Sequence, residues 1–154
     1  MNVKEEAIIH RLPSFVWPYL ASTEMLPRWN SQILRIFPKE HGPFRPHFKF
    51  DVTLLVKGNE HEYSAEVVEF IELRRIVFKL RSKTNPSLPE STECITLSPL
   101  VKGTKIERTT EIFGAEKTIS WWVKLLQRLF GCLNKPKASE YSLNRLAQVV
   151  EQRH

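Results

Sequence analysis

Residues 48–113 alternate between apolar and polar side chains with a period of two, and turn residues interrupt the run at short intervals. Side chains of a strand point to opposite faces in turn, so this pattern commits the middle of the chain to a half-buried β-sheet. In "FKFDVTLLV" (48–56), Phe48, Phe50, Val52, Leu54 and Val56 share one face, and Lys49, Asp51 and Thr53 the other. "EHEYSAEVVEF" (60–70) sets His61, Tyr63, Ala65 and Val67 against Glu60, Glu62, Ser64 and Glu66. "RRIVFKLRS" (74–82) sets Ile76, Phe78 and Leu80 against Arg75, Lys79 and Arg81. "TECITLSPL" (92–100) and "TKIERTTEIF" (104–113) complete the run. Gly58-Asn59 and "VKG" (101–103) are hairpin signals, and "KTNPSLPES" (83–91) is a loop. Acids on the outward face of one strand and bases on the next suit cross-strand pairing.

The flanking segments add one strand on each side of two short helices. "VKEEAIIHR" (3–11) and "SQILRIFP" (31–38) read as strands. Between them, "PSFVWPYLA" (13–21) opens with Pro at a helix-start position and is shortened or kinked by Pro18. "STEMLPRWN" (22–30) offers Ser22 or Thr23 as a cap and is limited by Pro27. "KEHGPFRPH" (39–47) is a loop. The strand from 31–38 and the five after it make a six-stranded antiparallel meander.

After Phe113 the period becomes helical. In "SWWVKLLQRLFGCL" (120–133), Trp122, Leu126, Leu129, Phe130 and Leu133 form one stripe, widened by Trp121, Leu125 and Val123. Gly131 and Pro136 divide the region into about 119–133 and about 135–152, or else kink a single helix. Leu143, Leu146, Ala147 and Val150 give the second part its narrower stripe, with Asn134 as a candidate cap. One apolar sheet face and one long apolar helix make an α+β domain, the sheet curving around the helix.

Composition limits what such a domain does. A chain of 154 residues with 42% hydrophobic and 26% charged content is expected to form a single domain over 1–154. The charged start lacks a signal-peptide core, and no apolar run is long enough to span a bilayer, so the expected address is cytoplasmic. Cys94 and Cys132 are expected to be reduced, and the five histidines show no metal-ligand spacing. No Gly-rich loop cradles a phosphate, so no cofactor is expected. The net charge of +6 concentrates in 117–154, where seven Lys/Arg face two acids. That basic excess suits a solvated helix face or a transient contact with an anionic membrane surface. Nucleic acid is not expected as a partner, because neither a helix-turn-helix pattern nor stacked sheet aromatics are present.

Four stretches carry a resemblance. "LPSFVWPYLASTEMLPRW" (12–29), "KGNEHEYSAEVVEFIELRRIVFKL" (57–80), "LSPLVKGTKIERTTEIF" (97–113) and "LNRLAQVVE" (143–151) are similar, in this order, to the START/polyketide-cyclase-like (SRPBCC) superfamily. The resemblance implies the helix-grip fold: a curved antiparallel sheet of about seven strands around a long C-terminal helix, with two short helices after strand 1. It also implies a cavity between the concave face and that helix, used for lipids, quinones or polyketides. It supplies no shared catalytic motif, and the break at Gly131 and Pro136 departs from the family's unbroken last helix.

The ligand-binding candidates are His61, Tyr63, Phe78, Arg108, Trp121, Trp122 and Leu126. Arg108 shares the apolar parity of Ile106, Thr110 and Ile112, where it would anchor a ligand carboxylate or phenolate; a bulge would instead turn it to solvent. The same ambiguity holds for Arg74. His61 and Tyr63 share the inward parity and could polarise a ligand hydroxyl or carbonyl. Of the adjacent Trp121 and Trp122, only one can face the sheet squarely. Trp17 and Trp29 suit core packing. The expected function is binding of a hydrophobic or amphipathic small molecule. The alternatives are a polyketide cyclase or dehydratase and a lipid-surface or protein-docking module.

Overall fold

The computed structural model describes residues 2–56, 58–85, 90–113 and 136–152, and among these it has seven strands, three α-helical segments and a 3₁₀ turn. The order is β1 (Asn2–Ile9), α1 (Pro13–Val16), a 3₁₀ turn (Trp17–Tyr19), α2 (Leu26–Trp29), then β2 (Ile33–Pro38), β3 (Lys49–Val56) and β4 (Asn59–Ile71). β5 (Arg75–Ser82), β6 (Glu90–Leu100), β7 (Gly103–Phe113) and α3 (Pro136–Gln152) follow.

The sheet order is β1-β7-β6-β5-β4-β3-β2, antiparallel throughout. β2 to β7 form the meander that the alternation predicts. β1 adds itself to the far edge, with Asn2 opposite Glu111 and Ile9 opposite Thr104. The β3–β4 hairpin turns at Gly58, whose φ of 78° is natural only for a residue without Cβ. Gly103 answers a different need. A Cβ there would stand 2.5 Å from the Ile9 carbonyl oxygen, where the β6–β7 hairpin presses on the end of β1.

The inward parity holds on every strand of the meander's core. Phe50, Val52, Tyr63, Ala65, Val67, Ile76, Phe78, Ile95, Leu97 and Ile106 are all buried in one cluster. Phe44 reaches into it from the β2–β3 loop, with its ring 5.5 Å from Phe50 and 5.4 Å from Phe78. α3 lies against β1 and α2, and its Leu143, Leu146 and Val150 join the same cluster. The outward face is polar and stitched by ion pairs such as Lys83–Asp51 at 2.9 Å and Lys79–Glu90 at 3.1 Å. At such exposure these pairs add little to stability.

Two local expectations are corrected. α2 begins at Leu26 and has no side-chain cap, so neither Ser22 nor Thr23 serves as one. Pro27 stands in its first turn, where the missing N–H costs no hydrogen bond; it helps start the helix and does not end it. Pro18 acts as expected, since the chain tightens from α1 into the 3₁₀ turn at Trp17. Asn134 and the whole of 119–133 lie outside the described residues. α3 itself begins at Pro136.

Candidate functional site

Where the sheet's inner face meets the α2–β2 corner, the side chains leave a recess. Trp29 forms part of its wall and is fixed in place, its Nε1–H donating to the Tyr19 carbonyl at 2.8 Å. Leu26 and Ile33 stand beside it. Phe50, Val52 and Leu54 of β3 face them, with Tyr63, Phe78 and Leu80 next in the sheet. All of these except Trp29 and Tyr63 are wholly apolar. The cavity volume is about 70 Å³, and about 780 Å³ when all the open space up to and including the mouth is counted.

The far wall is polar. β6 and β7 contribute Ser91, Glu93, Arg108 and Thr110. Arg108 is 3% exposed, so the solvated alternative is overturned: no bulge interrupts β7, and the arginine keeps the inward parity of Ile106 and Thr110. Its Nε donates to Glu93 Oε1, and its Nη1 donates to Ser142 Oγ of α3 at 3.1 Å. Arg74, by contrast, is exposed in the β4–β5 turn.

A second acid stands behind the arginine. Glu5 lies directly across from Arg108 in the β1–β7 register and is 6% exposed. Both of its carboxylate oxygens are buried without a hydrogen-bond partner. Burial pushes its pKa up to about 7; the Arg108 charge pulls the other way, and Glu93 adds to the rise. Three neighbouring strands thus present an acid, a base and an acid on the inner face. Tyr63 is also buried, which raises its phenol pKa above the ordinary value.

The structure gathers three of the sequence candidates, Tyr63, Phe78 and Arg108, around the recess. His61 keeps the inward parity but is half-buried opposite Leu54, and it is not among the described lining residues. Only the tyrosine of the imagined His61–Tyr63 pair therefore reaches the recess wall. Trp121, Trp122 and Leu126 lie outside the described residues, as does the basic edge of 120–133. Glu93 and Glu5 were missed by the sequence reading. Their signal is parity: Glu93 shares the face of Ser91, Ile95 and Leu97, and Glu5 that of Ala7 and Ile9.

Among the described residues, no three His, Cys, Asp or Glu side chains gather as a metal site, and no helix is long and apolar enough to cross a membrane. No protein-family model matches the sequence, and no curated protein matches it. Solved structures do. The sheet order, the short helices after β1 and the C-terminal helix define a helix-grip α+β fold. In particular, the chain is similar to TTHA0849 from Thermus thermophilus, with a TM-score of 0.73 at 16% identity over 98% of this chain and 97% of that one. It is similar to CV1439 from Chromobacterium violaceum, with a TM-score of 0.70 at 18% identity over 97% and 96%. Ara h 8.0201 superposes with a TM-score of 0.68 at 14% identity over 99% of both chains. At these identities the likeness is one of fold.

Proposed function

We propose that this protein binds a hydrophobic or amphipathic small molecule in the recess between the α2–β2 corner and the sheet. The observation that carries this reading is an apolar concavity, walled by Trp29, Phe50 and Phe78, that ends on a buried polar group. Apolar walls with a few fixed polar groups are the usual make-up of a small-molecule site. Removing ligand surface from water supplies the affinity, at roughly 25 cal/mol per Å² before ordering costs. The polar wall sets orientation.

The cavity volume of about 70 Å³ is small beside the roughly 300–1,000 Å³ of ordinary ligand sites. A slim chain enters it directly. A bulkier ligand has to displace Leu54 and Leu80, the half-buried walls.

Native mass spectrometry of the purified protein, followed by organic extraction, tests the proposal. A discrete retained mass in the lipid or polyketide range is expected. Leu80→Trp fills the recess and should abolish retention while leaving the far-UV CD spectrum unchanged. Retention undiminished in that variant would place the ligand elsewhere and sink this reading.

A further inference from the structure

Resting on the ligand-binding reading above, we propose that the recess selects a ligand whose polar head donates hydrogen bonds and carries no negative charge: a hydroxyl or an ammonium, and not a carboxylate or phosphate. A buried arginine alone would suggest the reverse, since a guanidinium pairs readily with anions. Here the arginine is already engaged. Arg108 donates to Glu93 on one side and to Ser142 Oγ at 3.1 Å on another.

The charge balance then decides. Arg108 is the one cation among the described lining residues, and Glu93 on the neighbouring strand lines the same wall. Glu5 adds a second carboxyl directly across from Arg108, with both oxygens buried and unpartnered. Two acids therefore flank one buried base. The other polar side chains on the lining, Asn30, Gln32, Tyr63, Ser91 and Thr110, carry no formal charge. An incoming anion meets the field of Glu93 with no uncommitted positive charge to offset it, and like charges at an interface are strongly disfavoured. A hydroxyl or ammonium meets carboxylate and hydroxyl oxygens that accept its hydrogen bonds. Discrimination of this kind arises from repelling the wrong head as much as from holding the right one.

The test compares two probes of equal chain length, 1-decanol and decanoate, by isothermal titration calorimetry at pH 8. Decanol should bind at least about tenfold more tightly to the wild-type protein. Glu93→Gln frees the Arg108 charge, so the ratio should move toward decanoate by about tenfold or more. Decanoate binding as tightly as decanol to the wild type overturns the inference and leaves the ligand-binding reading standing, as does an unchanged ratio in Glu93→Gln. Failure of both probes to bind overturns the ligand-binding reading itself. The wild-type comparison stands even if the variant does not fold.

Discussion

Burial takes Glu5 well away from the ordinary behaviour of a carboxyl. Its pKa is raised from 4.5 to about 7, so the folded protein holds this proton more tightly than the unfolded chain does. Stability therefore falls as pH rises from about 4.5 to 7, and the whole deficit is present above 7. At roughly 1.4 kcal/mol per unit the deficit is about 3 kcal/mol. Glu5→Gln removes it. Urea unfolding should find the variant more stable than wild type by about 2–3 kcal/mol at pH 8, and nearly equal to it at pH 4.5. A variant less stable at pH 8 would mean that the Arg108 attraction outweighs burial. Alternation places both Glu5 and Arg108 on the inward face, so the geometry was legible in the sequence. What parity alone does not show is that an acid is tolerated there. Charged residues are almost never fully buried unless paired, and Glu5 and the Arg108 set across from it are 103 residues apart in the chain.

At the scale of elements, period-two alternation located the strands β3 to β7, and the turn glycines located the β3–β4 and β6–β7 hairpins. The helix starts were less legible. Ser22 and Thr23 have the side chains that cap helices, yet the fold begins α2 three residues later, where Pro27 fits the first turn. A cap signal tells where a helix can start, whereas packing of Leu26 and Trp29 into the core decides where it does. The β6–β7 hairpin is the most exacting joint. Gly103→Ala would bring a methyl to 2.5 Å from a backbone oxygen of β1, and backbone cannot swing aside as a side chain can. A loss of about 1–3 kcal/mol in chemical denaturation is expected, comparable to overpacking a core. An unchanged midpoint would show that β1 is free to slide away from the hairpin.

The whole molecule is a sheet whose strands differ in how firmly they are held. β5 and β6 are paired on both sides, and Ile76, Phe78, Ile95 and Leu97 bury their side chains. β2 is an edge strand of six residues with a register shift after Ile33 and an exposed Phe37. Native-state hydrogen exchange should find amide protection highest at Ile76–Phe78 and Ile95–Leu97 and lowest in β2. Equal protection across the sheet would mean that it opens as a single unit. The meander was legible at this scale because neighbouring strands in sequence are neighbours in space. The seat of β1 beside β7 was not, because nothing local to residues 2–9 names a partner that far along the chain.

That distant pairing has a consequence for how the chain is made. Synthesis from the N-terminus delivers β1 first, but the strand that receives it ends at Phe113. At about 5–20 residues per second, β1 waits roughly 5–20 s beyond the ribosome before β7 exists. During that time a strand carrying Ile8 and Ile9 has no edge to dock on. Glu5, an unpaired burden in the finished fold, keeps the waiting strand charged and in water until its partner emerges.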